Sequence, residues 1–399
     1  MAARSFVLAA AALLACSPAA AAERAQELAQ RFLLVDTHID VPDRLQQKME
    51  DVGLATSGGE FDHPRARQGG LDVAFMSIYV PASYQERGGA KHYADELIDL
   101  VERIVAGHPD KFARVTSPKE ARRCAAIGKV GLALGMENGA PVEDDLANLR
   151  HFHQRGVRYI TLTHGKNNQI GDSSYDTVRR WHGLSSFGRK VVAEMNRLGI
   201  MVDVSHVSDE TFAQVVALSR APLIASHSSC RHFTPGWERN MSDAMIRQLA
   251  ARGGVIQINF GNAFLDDEHR RASERHRAEI LRYLEEHQLA EDAEEAKRYA
   301  VAYLKEHALP PLDVAQVADH IDHVRRLVGV DHVGLGSDFD GVQGDLPRGL
   351  QSVADYPNLI AELLARGYAE RDVAKICGGN LLRVWGDVER VAHQLQVRR

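Results

Sequence analysis

A (β/α)8 TIM barrel is the fold this sequence predicts. Three observations carry it: eight short β-branched apolar runs, stretches of helical periodicity between them, and metal-capable side chains at the ends of the runs. The 399 residues are 45% hydrophobic and 26% charged, with a formal net charge of −6. This is globular composition, and a mildly acidic chain without Lys/Arg-rich tracts is poorly suited to a phosphate backbone, so nucleic acid is not an expected partner. Length alone fits one large barrel or two to three smaller domains. No GxGxxG fingerprint follows the first run, which argues against an open doubly wound sheet.

Residues 1–22 read as an export signal. Arg4 precedes the apolar run 6–15, and Ala20-Ala21-Ala22 before Glu23 fits an A-x-A cleavage site. Leu13-Leu14-Ala15-Cys16 also offers a lipobox, through which Cys16 would be lipidated. No later segment reaches 18 uninterrupted apolar residues, so no span follows the signal, and the expectation is an exported periplasmic or extracellular protein, soluble or tethered at Cys16. Residues 23–399 form the single expected barrel domain. Its strand-like runs are 33–40, 72–80, 130–137, 159–163, 200–205, 223–226, 255–259 and 333–338. Helical stretches lie at 90–106, 144–155, 185–198, 209–218, 243–252, 313–328 and 355–366, several opening on Asp or Ser as N-caps. Residues 266–308, rich in Glu, Arg, Ala and His, read as a helical insertion between the seventh and eighth strands. Such a charged hairpin either caps the barrel or shapes its mouth. Beyond Cys16, only Cys124, Cys230 and Cys377 remain, without CxxC spacing, so at most one disulfide is available.

The chemistry sits at the strand ends. His38 and Asp40 end the first run two residues apart, and the period of a strand turns both to one side. Glu137 ends the third run, His206 the fifth, His227 the sixth and Asp338 the eighth. In a barrel these C-terminal ends converge on one face, where active sites of this fold are built. Three histidines and three carboxylates exceed what one catalytic zinc takes, so two ions fit better. Two metals about 3.5–4 Å apart, sharing a carboxylate and a water, would supply a hydroxide nucleophile and a Lewis acid for a carbonyl. Asp338 is suited to take the proton of that water and to protonate a leaving amine, with Asp340 as its rival. His164, after the fourth run, suits a tetrahedral oxyanion. Arg239 could fork onto a substrate carboxylate, a role for which Arg231 competes; Cys230 reads as packing.

The motifs Val35-Asp36-Thr37-His38-Ile39-Asp40, Met136-Glu137-Asn138-Gly139, Leu162-Thr163-His164, Val202-Asp203-Val204-Ser205-His206, Ser226-His227-Ser228-Ser229, Arg239-Asn240 and Gly336-Ser337-Asp338-Phe339-Asp340-Gly341 together resemble the membrane (renal) dipeptidase family, peptidase family M19 of the amidohydrolase superfamily. The match runs from about residue 33 to about 385. The resemblance implies two Zn2+ per chain, one held by His38, Asp40 and Glu137, the other by Glu137, His206 and His227. Glu137 and a hydroxide would bridge them. It further implies Asp338 as acid/base, His164 on the tetrahedral intermediate, Arg239 on the carboxylate of a dipeptide, and a homodimer. The activity expected is zinc-dependent hydrolysis of free dipeptides, L,L and also L,D. A sibling N-acyl amino acid or β-lactam hydrolase on the same metal frame is the alternative. Mammalian relatives carry a C-terminal lipid anchor, which the polar Leu395-Gln396-Val397-Arg398-Arg399 does not suggest.

Overall fold

The computed structural model describes residues 18–290, 293–310 and 312–397. Cys16 and the apolar run of the expected signal lie outside these residues. Ala20, Ala21 and Ala22 lie in a helix, Pro18–Arg31, that buries Ala25, Leu28 and Ala29. Among the described residues no helix is long and apolar enough to cross a membrane.

Among the described residues nine strands form one parallel sheet: β1 (Leu34–Ile39), β2 (Leu71–Tyr79), β3 (Phe112–Arg114), β4 (Val130–Glu137), β5 (Val157–Thr161), β6 (Met201–Asp203), β7 (Ile224–Ala225), β8 (Val255–Ile258) and β9 (Val333–Leu335). Eight of them follow one another in the order β1-β2-β4-β5-β6-β7-β8-β9, with helices in the connections. The two ends of that path meet at a parallel bridge between Ile39 and Phe339. There Asp40 N–H donates to the Phe339 carbonyl at 2.8 Å and Asp338 N–H to the His38 carbonyl at 3.1 Å. This is the predicted barrel. The three-residue β3 is an addition that the sequence reading missed; it flanks the first half of β4.

Alternation along the strands sorts side chains into two cores. Val73 and Phe75 of β2, Ala133 of β4, Tyr159 of β5 and Met201 of β6 pack inside the barrel, where helix Asn380–Val397 sets Trp385 against Phe75 with ring centroids 5.3 Å apart. Their neighbours Ala74, Met76, Leu132, Leu134 and Met136 join the larger core that includes the surrounding helices. On β4 the same period gives Gly135 and Glu137 the parity of Ala133, toward the barrel interior. A side chain at Gly135 would lie 1.9 Å from the Tyr159 ring. Glycine there lets Tyr159 cross the barrel and bring its hydroxyl to His38 Nδ1 at 2.8 Å.

Several strands are shorter than the apolar runs that predict them. Predicted runs 200–205, 223–226 and 333–338 shorten to β6, β7 and β9, so His206, His227 and Asp338 stand on loops just past the strand ends. The backbone leaves extended geometry at these turns: φ is 65° at His206 and at Asp338. β1 is irregular between Asp36 and Ile39, where the pairing on β2 advances only from Ala74 to Met76. Such bulges re-aim side chains beside active sites. Asp40 lies past the strand, at the cap of helix Val41–Gln47, with φ −90° and ψ 32°. His38 and Asp40 therefore share a face through a bulge and a helix start, not through uninterrupted strand period.

The predicted caps shift by one residue in two helices: Ser208 and Ser242, rather than Asp209 and Asp243, accept the N–H groups of Thr211 and Met245. Asp313 forms a capping box with Gln316. Between β8 and β9, helices Asp267–Glu286 and Glu294–Glu306 lie side by side, Tyr283 stacking on Tyr299 with centroids 3.4 Å apart. Cys124, Cys230 and Cys377 are free and buried, so the one disulfide that their number allowed is not formed.

Candidate metal centre

The six strand-end residues meet around one carboxylate. Glu137 Oε1 lies 3.1 Å from His206 Nε2, 3.2 Å from His227 Nε2 and 3.5 Å from His164 Nε2. Its Oε2 lies 3.3 Å from His38 Nε2, which is also 3.4 Å from Asp40 Oδ2 and 3.9 Å from Asp338 Oδ1. Three overlapping groups have the close spacing of a metal site: His38, Glu137 and His227; Glu137, His164 and His206; and His38, Asp40 and Asp338. Glu137 is shared by two of these groups. His164 and Asp338 fall within the groups as well, beside the residues that the sequence reading named as ligands.

The hydrogen-bond network shows what this cluster is built to hold. Tyr159 donates its hydroxyl hydrogen to the Thr37 carbonyl at 2.9 Å, so its oxygen accepts from His38 Nδ1. Ser226 donates to Asp203 Oδ2 at 2.6 Å, so its oxygen accepts from His227 Nδ1 at 2.8 Å. With the protons assigned to Nδ1 by this network, both Nε2 atoms present bare lone pairs toward carboxylate oxygens. Buried His38 Nε2 and Asp40 Oδ1 have no hydrogen-bond partner at all. Lone pair facing lone pair in a buried site is repulsive unless a cation stands between them. Imidazole nitrogens with carboxylate oxygens are the donor set of zinc and of other borderline divalent ions, and the groups behind His38 and His227 fix their tautomers as ligand partners do. The residues present thus fit a metal.

In the metal-free chain burial opposes a charge on His38, but Tyr159 and the Asp40 and Glu137 carboxylates outweigh it and hold the imidazole well above its usual range, so a proton takes the place that a metal would fill. Burial likewise opposes ionisation of Glu137, but the His38 imidazolium and His164 outweigh it and hold the carboxyl well below the usual range. Burial, with Arg239 and His38 nearby, holds His206 and His227 well below the usual imidazole range, leaving them neutral. Burial lifts Asp338 to about 7; His38 opposes this, and the charges of Asp40 and Glu137 add to it. Asn259 at the end of β8 donates to Asp338 Oδ2 at 2.7 Å.

The remaining predicted residues sort cleanly. Asp340, the rival to Asp338, ion-pairs with Arg44 at 3.2 Å and accepts the Glu60 N–H at 2.6 Å, apart from the cluster. Arg231 is forked onto Asp209 at 2.6 and 2.7 Å. Arg239 is buried beside the cluster, donating to Ser228 Oγ at 2.7 Å, to the His227 carbonyl at 2.7 Å and toward His206 Nε2 at 3.1 Å. Its Nε–H has no partner. Cys230 is buried against His320, and burial pushes its thiol up, which suits packing.

A cavity of about 1030 Å³ opens over Asp40, Glu137, His164, His206 and Asp338. Tyr79 and Tyr175 also line it, their rings 4.8 Å from His164 and 5.7 Å from His206. These tyrosines and Asn259 escaped the sequence reading. Only the position of Asn259 at a strand end could have marked it.

A model of the membrane dipeptidase family, peptidase family M19, matches residues 22–399. Among curated proteins, Dipeptidase 3 of Rattus norvegicus is 34% identical over 380 residues, 92% of this chain and 68% of the rat protein. Dipeptidase aclJ of Aspergillus oryzae is 35% identical over 344 residues, 84% of this chain and 72% of the fungal one. Among solved structures, the probable dipeptidase PvdM from Pseudomonas aeruginosa superposes with a TM-score of 0.80 at 30% identity, covering 94% of this chain and 100% of that one. A metallo peptidase from Rhodobacter sphaeroides, liganded with a phosphinate mimic of the dipeptide L-Ala-D-Ala, has a TM-score of 0.73 at 26% identity, over 89% of this chain and 99% of that one.

Proposed function

The chain belongs to the membrane dipeptidase family, peptidase family M19, and from that membership we propose that it is an exported zinc dipeptidase cleaving the single peptide bond of free dipeptides. That it is a metallopeptidase-type hydrolase follows from the family; the zinc, the pair of ions and the roles below are our reading. The observation that carries it is the pair of Nε2 atoms, on His38 and His227, turned on the carboxylate of Glu137 while Tyr159 and Ser226 hold the Nδ1 atoms behind them.

In this reading His38, Asp40 and Glu137 hold one Zn2+, and Glu137, His206 and His227 the other. Ions bound there would supply a Lewis acid for the scissile carbonyl and a water that is nucleophilic at neutral pH. Asp338 takes a proton from the attacking water and delivers it to the departing nitrogen, so the C–N bond breaks as a neutral amine forms. A carboxyl poised near neutrality can do both, and Asn259 holds one of its oxygens in place. His164 donates to the oxygen that gains charge as the carbonyl becomes tetrahedral, and its half-buried ring against Tyr79 keeps it at the wall of the cavity. Arg239 receives the substrate carboxylate; its anchoring on Ser228 and the His227 carbonyl fixes the guanidinium before substrate arrives.

Tolerance of a D-residue at the second position is supported by the L-Ala-D-Ala mimic bound to the Rhodobacter relative. Export is supported by the signal-like residues 1–22, lipid attachment by Cys16, and a homodimer by the family resemblance. The test is hydrolysis of one L,L-dipeptide, its L,D-isomer and its N-acetylated form by metal-stripped protein, before and after two equivalents of zinc. Zinc-restored cleavage of the free dipeptides alone is expected. Cleavage of only the blocked form would assign an acylase instead, and cleavage of nothing would refute the enzyme.

A further inference from the structure

We infer that Asp43 selects dipeptides whose N-terminal residue carries a cationic side chain, an inference that rests on the dipeptidase reading above. Asp43 lies in the first turn of helix Val41–Gln47, three residues past Asp40, and lines the same cavity as Asp40, Gln47 and Tyr79. Its carboxylate accepts one hydrogen bond, from the neutral amide of Gln47 at 2.9 Å. Among the described residues it has no ion pair. Its basic neighbour, Arg44, is committed elsewhere, to the Gly58 and Phe61 carbonyls, Asp340 and Glu50. The other two basic side chains at the cavity, Lys166 and Arg277, come from the loop after β5 and from the helical hairpin.

A half-buried carboxylate served only by a neutral donor is electrostatically unfinished. The same burial, reinforced by the charge of Glu137 across the cavity, raises the carboxyl above its ordinary value, as is expected where no cation answers it. The position then names the cation. With the substrate carboxylate at Arg239, beyond β7, the N-terminal residue lies toward the far side of the ring, where β1 and β2 stand three and four strands away. Its α-ammonium sits one carbon from the scissile carbonyl and stays beside Asp40 and Asp338. Only a side chain reaches past Asp40 to helix Val41–Gln47. The group that completes Asp43 is therefore an ammonium or guanidinium on the side chain of a lysine- or arginine-like first residue.

The experiment compares kcat/KM of the zinc-loaded protein for Lys-Ala, norleucyl-Ala and Glu-Ala. The first two share the α-ammonium and nearly the same aliphatic reach, and differ in the terminal charge. The wild-type chain is expected to prefer Lys-Ala over norleucyl-Ala by about tenfold, the scale of one charge-assisted contact that is partly shielded from water, with Glu-Ala poorest. Asp43→Asn, which retains an oxygen for Gln47, should bring the lysine-to-norleucine ratio close to one, mainly through KM. Asp43→Lys should invert the order in favour of Glu-Ala. An unchanged ratio in Asp43→Asn overturns the assignment. So does an equal fall for all three substrates, which would place Asp43 on the α-ammonium. Turnover of norleucyl-Ala in these assays separates such a failure from failure of the dipeptidase reading, which would abolish cleavage of every dipeptide.

Discussion

Replacing Asp338 by Asn separates proton transfer from structure. The amide has the shape of the carboxyl, and its oxygen can still accept the Asn259 Nδ2 hydrogen bond that measures 2.7 Å. What it cannot do is take a proton from water and give it to an amine. General acid–base catalysis contributes roughly 10²- to 10⁴-fold, so kcat/KM should fall by that factor, about 3–5 kcal/mol of transition-state stabilisation. Stability should move the other way in metal-free protein. Burial lifts Asp338 from 3.8 to about 7, so ionising it in the folded state costs up to about 4 kcal/mol at pH above 7, at about 1.4 kcal/mol per pH unit. The neutral amide avoids that cost, and metal-free Asp338→Asn should unfold at or above the denaturant concentration that unfolds metal-free wild type. The assay is dipeptide hydrolysis at matched zinc content, with denaturant melts of both apoproteins at pH 8. Activity within tenfold of wild type at full metal occupancy would refute Asp338 as the proton carrier. A less stable apo variant would refute the buried, unfavourable charge.

Four further outcomes follow from the same geometry. Asp340→Asn should lose less than about tenfold in kcat, because Asp340 is spent on Arg44 and the Glu60 backbone; a hundredfold loss would hand it the proton role. In Gly341→Ala the new methyl would lie 2.4 Å from Asp338 Oδ1 and 2.4 Å from Asp40 Oδ2, so zinc content by elemental analysis and activity should fall together, and a fully loaded active variant would contradict this. Asp72, half-buried and accepting the Leu34 N–H at 3.0 Å, is raised by burial from 3.8 to about 6. Its ionisation therefore costs nothing below pH 4 and up to about 3 kcal/mol above pH 6, so denaturant melts should show Asp72→Asn gaining on wild type as pH rises from 4 to 7; a gap that is independent of pH would exclude the cause. Chelation should lower the calorimetric unfolding temperature, since His38 Nε2 and Asp40 Oδ1 lose the partner that the protein does not provide, and an unmoved transition would argue against a metal there.

Much of this site was legible because barrel geometry converts sequence order into convergence. Once eight apolar runs were recognised, His38, Glu137, His206, His227 and Asp338 had to meet wherever the run ends met, and Glu137 does stand at the end of a regular strand with its parity intact. Placement that depends on distant partners was not legible in the same way. His206 and Asp338 sit at φ 65°, a conformation costly for any residue but glycine, and nothing in the local spacing predicts it. Asp203 holds the N–H groups of Ser205 and Ser226 at 3.1 and 2.8 Å, one beside His206 and one beside His227, and Asp36 holds those of His38 and Ser337 at 2.9 and 3.1 Å. Each buried carboxylate joins two loops far apart in sequence. Asp36 and Asp203 stand inside the motifs of the first and fifth runs, where the sequence assigned neither of them a role. Their common work is to impose the turns that carry His38, His206, His227 and Asp338 inward, and each makes the position of one of these loops conditional on another. Removing either should therefore loosen two of these loops at once, so the cluster should respond to such a change as one unit rather than as six independent side chains.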